Sequence, residues 1–265
     1  MDIYSSIDRH PMLLRFLFYP RKWSRPAPAG AEDLMISVEK DLAVGCRLDE
    51  YEAGRPWILL FHGNGEIAAD YEQIAPLYGQ KRINLAVADY RGYGRSGGQP
   101  TFAGMVSDAP IIFKAMRERL ERRGLQEDLF VMGRSMGSIS ALELAAQYAG
   151  AIPGLIIESG FISIIGLIRH LGLPSTGLDL KNIEEESRRK AAQISIPALI
   201  IHGEADSLVP YSQALDMHKA LGSESKELLP IPGADHNDVI FFDRERYFTA
   251  IAEFIERFCG STGEN

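Results

Sequence analysis

The chain has 265 residues, 46% hydrophobic and 24% charged, the proportions of a soluble globular protein long enough to bury one substantial core. Its formal net charge of −8 excludes a general affinity for nucleic acid, which needs clustered Lys and Arg to neutralise phosphates. Small-molecule and protein partners are left open, and nothing in the composition sets an oligomeric state.

The opening stretch MDIYSSIDRH places two aspartates ahead of any apolar run, the wrong flank for a secretory signal. The apolar run MLLRFLFYP, residues 12–20, contains Arg15 and is less than half the length that spans a bilayer. It is expected to pack onto the body of the domain, with a weak membrane contact through residues 12–20 as the alternative. The expected location is the cytoplasm. Cys46 and Cys259 are far apart and fall in no metal-ligand spacing, so buried reduced thiols are expected, with a disulfide as the alternative.

Two strand-like segments come next, LMISVE (34–39) and LAVGCRLDEY (42–51), close enough together to form a hairpin. Short apolar runs then alternate with helical stretches. The runs are WILLFHG (57–63), INLAVADY (83–90), DLFVMG (128–133), GLIIESG (154–160), PALIIHG (197–203) and KELLPIPG (226–233). They are apolar on both faces, as strands buried within a parallel sheet must be. Helical spacing marks 105–124, stopped by Gly124, then 135–150, 212–222 and 244–258. This order predicts one α/β domain over residues 1–265: about eight strands, mostly parallel, with helices on both faces. Residues 161–196 are long for a bare connection and predict a small helical cap. Its charged run EEESRRK reads as a solvated helix face. The apolar Phe161, Ile164, Ile165, Leu167 and Ile168 read equally as an acyl pocket or as core.

The pattern G-x-S-x-G, whose chance occurrence in such a chain is on the order of ten per cent, appears twice. GRSGG (94–98) nominates Ser96 and GRSMG (133–137) nominates Ser135. Gly97, Gly98 and Pro100 prevent a helix after Ser96, whereas SMGSISALELAAQY is a good helix. Ser135 therefore occupies a sharp strand-to-helix turn, the setting of a nucleophile elbow, with free N–H groups and a positive dipole end beside it. A serine hydroxyl needs a base, and the base needs a carboxylate to orient it. HGEADSLVP supplies Asp206 and GADHNDV supplies His236, each just after a later strand. The N–H of Asn64, in FHGNGE, and that of Met136 form the expected oxyanion hole, with Gly65 as substitute donor.

Other groups have blander expected roles. His62 orders its loop, and His10, His170, His202 and His218 are structural or on the surface. Glu158, at the end of the strand before the cap, is the alternative acid. Asp235 and Asp238 are too close to His236 along the backbone to hold its side chain.

FHGNGE, DYRGYGRSGG, GRSMGS, HGEAD and GADHND together, in this order across residues 61–238, resemble the α/β-hydrolase superfamily. The nearest resemblance is to its serine hydrolases that include depalmitoylases and monoacylglycerol-type lipases. In such proteins the loop corresponding to DYRGYGRSGG carries a serine that is not the nucleophile. Gly137-Ser138 ends the elbow where a second glycine is frequent. The resemblance implies a serine hydrolase acting on a carboxylic ester or thioester, through an acyl-enzyme and without metal or organic cofactor. An amide or peptide hydrolase with the same triad is the first alternative, and a non-catalytic binding module the second.

Overall fold

The computed structural model describes residues 3–23, 25–124 and 127–260. Eight strands form one sheet: β1 (Ala31–Glu39), β2 (Leu42–Asp49), β3 (Trp57–Phe61), β4 (Asn84–Ala88), β5 (Leu129–Arg134), β6 (Leu155–Glu158), β7 (Ala198–Gly203) and β8 (Lys226–Ile231). Their spatial order is β1-β2-β4-β3-β5-β6-β7-β8. β2 runs antiparallel to both β1 and β4, and the remaining neighbours are parallel. All eight expected strands are present, and the α/β-hydrolase fold expected from the sequence is the fold observed.

The burial of β3 to β7 explains their unbroken apolar runs. Every residue of these five strands is buried. Successive side chains point to opposite faces, so Trp57, Leu59 and Phe61 join one core while Ile58 and Leu60 join the other. The first core is closed by α4 (Phe102–Arg122), α5 (Ser138–Gln147), α6 (Ile164–His170), α7 (Leu180–Gln193) and α8 (Ser212–Ala220). The second is closed by α3 (Ala75–Gln80), α9 (Val239–Phe242) and α10 (Arg244–Phe258). α4 starts at a Thr101 cap that accepts from the Gly104 N–H, and Gly124, at φ +69°, follows its end.

The amino-terminal segment forms α1 (Ser5–Asp8) and α2 (Pro11–Leu17), elements too short to show a period in sequence. It does pack onto the domain. Ile7, Leu13, Leu17 and Phe18 are buried, and the Asp8 carboxylate accepts from the Phe102 and Ala103 N–H groups at the start of α4. Its other face is exposed at Met12, Phe16 and Tyr19. Among the described residues, no helix is long and apolar enough to cross a membrane.

Residues 161–196 contain α6 and α7. Phe161, Ile164, Ile165 and Ile168 are buried in the first core and Leu167 is packed against it, so these side chains are core. The expectation of two buried thiols holds for Cys46 alone. Both cysteines are free, but Cys259 is exposed at the C-cap of α10.

Candidate active site

β5 ends at Arg134, and the chain turns through a single 3-10 turn, Ser135–Gly137, before α5 begins. Ser135 has φ +49°, a left-handed conformation that its Cβ disfavours and that the flanking strand and helix impose. The turn is tight enough that a Cβ on Gly137 would overlap the Phe61 carbonyl oxygen at the end of β3. The Ser138 hydroxyl donates to the Ser135 carbonyl at 2.7 Å and fixes the turn from below.

The loop after β8 brings the His236 ring to this serine. Nε2 lies 2.9 Å from the Ser135 hydroxyl oxygen, and Nδ1 lies 2.8 Å from Oδ2 of Asp206. All three residues are buried. Oδ1 of Asp206 accepts from the Leu208 and Val209 N–H groups at 3.0 and 2.7 Å. Burial works against ionisation of Asp206. Hydrogen bonds from His202 and His236, the charge of His236 and the Val209 N–H outweigh it and hold the carboxyl below its ordinary range.

Ser96 stands apart from this group. Its buried hydroxyl accepts from the Gly45 N–H at 2.9 Å, and its carbonyl accepts from the Lys22 ammonium at 2.6 Å, so it ties the loop after β4 to β2 and the amino-terminal segment. Glu158 is held by Arg134 Nε at 3.1 Å and by the Tyr247 hydroxyl at 2.5 Å. Asp235 accepts from the backbone N–H groups of Ser207 and His236 and from the Ser207 hydroxyl, which joins the acid loop to the histidine loop.

His62 is buried, with Nδ1 2.7 Å from the Gly63 carbonyl and Nε2 3.3 Å from the Asp89 carboxylate. His170 reaches the Ser207 carbonyl and His218 that of Lys226. His202 does more than sequence reasoning allowed: its Nε2 is 2.8 Å from the Val209 carbonyl and 3.2 Å from Oδ2 of Asp206.

The FHGNGE turn follows β3. Its Asn64 side chain accepts from the Tyr19 N–H at 3.0 Å and the Tyr93 hydroxyl at 2.7 Å, and donates to the Leu17 carbonyl at 3.0 Å. The Gly65 N–H faces the Tyr93 hydroxyl, and the Gly65 carbonyl accepts from Arg21. Met136 is the second residue of the 3-10 turn, where N–H groups have no partner within the helix.

A buried ionic cluster lies beneath these loops, and sequence reasoning missed it. Arg134 pairs with Glu66 of the FHGNGE turn and with Glu158, and donates to the His236 carbonyl and to Oδ1 of Asn237, both at 3.1 Å. One guanidinium thus ties together the loop after β3, the end of β6 and the loop after β8. The available signal was a pair of opposite charges ending two wholly buried strands, and the register does set Arg134 opposite Glu158.

The chain and its fold have counterparts among known proteins. The Hydrolase_4 family, described as serine aminopeptidase, S33, matches residues 53–170 and 167–245. Protein bem46 of Schizosaccharomyces pombe is 30% identical over 211 residues, covering 78% of this chain and 69% of its own. The human alpha/beta hydrolase domain-containing protein 17B is 28% identical over 231 residues, covering 85% of this chain and 75% of its own. The Pyrococcus furiosus esterase Pf2001 superposes with a TM-score of 0.75 at 19% identity, over 92% of this chain and all of that one. The chain belongs to the α/β-hydrolase superfamily, in the serine aminopeptidase S33 family.

Proposed function

We propose that the protein is a serine hydrolase that cleaves a carboxylic ester or thioester through an acyl-enzyme. His236 takes the proton from Ser135 as its oxygen attacks the acyl carbon, and Asp206 holds the imidazole tautomer that leaves Nε2 free to accept it. The Asn64 and Met136 N–H groups receive the negative charge that develops on the carbonyl oxygen. Gly65 is the weaker candidate because its N–H already faces Tyr93. His236 returns the proton to the departing alcohol or thiol, and then activates the water that releases the acid. Residues 161–196 act as a small cap beside the acid loop, where His170 meets the Ser207 carbonyl.

The observation that carries this reading is the continuous relay from Ser135 through His236 to Asp206, with contacts of 2.9 and 2.8 Å. Structural likeness to the esterase Pf2001 supports an ester as the first substrate class to try. Amide hydrolysis is the second reading, favoured by the serine aminopeptidase description of the family.

The test is fluorophosphonate labelling of wild type, Ser135→Ala and Ser96→Ala, followed by a panel of esters, thioesters and anilides. Labelling should vanish in Ser135→Ala and persist in Ser96→Ala. Full labelling of Ser135→Ala overturns the assignment, and turnover confined to anilides transfers it to the second reading.

A further inference from the structure

Within residues 3–23 the chain carries Arg9, Arg15, Arg21 and Lys22 against a single acidic residue, Asp8, although the protein as a whole is acidic at −8. Asp8 is occupied at the start of α4, Arg21 pairs with Asp70 and Lys22 meets the Ser96 carbonyl. Arg9 and Arg15 are exposed and have no ion-pair partner among the described residues. α2 is two-sided: Leu13 and Leu17 face the core, while Met12 and Phe16, one turn apart, are 60% and 47% exposed with Arg15 beside them. Tyr19, just past the helix, is 57% exposed. Met12, Arg15 and Phe16 share the outer face of α2, exposed Arg9 and Tyr19 flank it, and the opposite face is anchored. Apolar side chains interleaved with cations that have no ion-pair partner among the described residues are the pattern of a surface that lies in the headgroup region of a bilayer.

We infer that the face formed by Arg9, Met12, Arg15, Phe16 and Tyr19 docks on anionic lipid bilayers. Met12, Phe16 and Tyr19 enter the boundary between headgroups and acyl chains, and Arg9 and Arg15 meet lipid phosphates and carboxylates. The acidic remainder of the protein is repelled by the same membrane, so docking is confined to this face.

The surface is fastened to the candidate active site. The chain between Phe16 and Tyr19 is held by Asn64, whose side chain bonds both the Leu17 carbonyl and the Tyr19 N–H. Docking therefore sets the FHGNGE turn at the membrane boundary, where an acyl chain leaving the bilayer would meet Ser135. Only this last step rests on the proposed hydrolase reading.

The test is co-sedimentation of the full chain bearing Ser135→Ala with vesicles of 3:1 phosphatidylcholine to phosphatidylserine, and with phosphatidylcholine alone. Because the assay reads binding in an inactivated protein, its outcome is separate from that of the labelling experiment. The protein should sediment with the anionic vesicles and be released by salt. Met12→Ser/Phe16→Ser and Arg9→Gln/Arg15→Gln should each weaken binding about tenfold. The control Met35→Ser/Tyr51→Ser removes side chains of similar exposure (41% and 61%) outside this segment and should bind like the parent. Thermal unfolding verifies that each variant is folded. Absence of sedimentation by the parent overturns the inference, as does equal sedimentation of the α2 variants and the control. A change of oligomeric mass in Met12→Ser/Phe16→Ser, with no vesicle binding by the parent, overturns it in favour of a second copy of this chain.

Discussion

The guanidinium of Arg134 donates to the backbone carbonyl of His236 at 3.1 Å, which joins the residue just before the candidate nucleophile to the candidate base itself. The same side chain is ion-paired with Glu66 and Glu158. Burial opposes its charge, but the two carboxylates outweigh burial and raise its pKa, so it stays cationic throughout.

Replacing Arg134 should therefore cost far more than an ordinary surface charge. Arg134→Gln strands the Glu158 carboxylate in the interior and leaves that of Glu66, which is partly exposed, without its cation, and loss of one partner of a buried pair costs about 3–5 kcal/mol. Arg134→Lys keeps the charge but loses the planar fork that reaches several acceptors, so it should recover only part of the stability. Adding Glu158→Gln to Arg134→Gln should restore some of the loss, because it removes one stranded charge. Urea midpoints of the three variants measure this, and a double variant less stable than the additive sum would refute the coupling.

Gly137 makes a steric prediction. Its Cβ position coincides with the Phe61 carbonyl, a backbone group that cannot rotate away, whereas a Cβ on Gly150 meets nothing within 4 Å. Gly137→Ala should lose about 3 kcal/mol or more and displace the turn that carries Ser135, while Gly150→Ala should be close to neutral. Thermal unfolding of the two side by side checks the contrast.

The sheet and the order Ser135, Asp206, His236 were legible because each depends on local pattern. Wholly buried strands read as apolar runs, glycines bound their ends, and the candidate site residues follow at those ends. The cluster around Arg134 depends instead on lateral register, since Arg134 and Glu158 meet only because β5 and β6 are neighbours. His202 reads from sequence only as a structural or surface residue. Its contact with Asp206 arises from the turn that carries the carboxylate back over the strand end. α1, α2 and α3 span a few residues each, so no period marked them, and their positions are set by packing.

Asp49, the last residue of β2, has one carboxylate oxygen buried without a hydrogen-bond partner among the described residues. Burial pushes its pKa up to about 6, Arg47 opposes this, and the like charges of Glu72 and Asp33 add to it. A carboxyl raised in the folded state contributes stability that is full below its unfolded pKa of about 4 and lost as pH rises through about 6. Asp49→Asn removes that loss. The variant should exceed wild type by about 1–2 kcal/mol at pH 8, and the advantage should vanish near pH 4. Urea denaturation at the two pH values tests it, and an equal gap at both would contradict the assignment.

Asp206 has the opposite sign. Its pKa is held down against the effect of burial, chiefly by hydrogen bonds from His202 and His236. A carboxyl depressed in the folded state contributes stability that is present above its unfolded pKa, about 4, and is lost as pH falls through the lower folded value. The stability gap between wild type and Asp206→Asn should therefore be wide at pH 6 and close steadily below pH 4. His202→Gln removes one of the two imidazole contacts, so it should narrow that gap while leaving His236 hydrogen-bonded to Asp206. On the proposed mechanism, Asp206→Asn should lower kcat by on the order of 10³- to 10⁴-fold through loss of the required tautomer. His202→Gln should lower it by only about tenfold, with KM unchanged, because His202 acts through the orientation of Asp206. Equal losses of kcat in the two variants would mean that His202 reaches the reacting atoms by some route other than the 3.2 Å contact with Asp206.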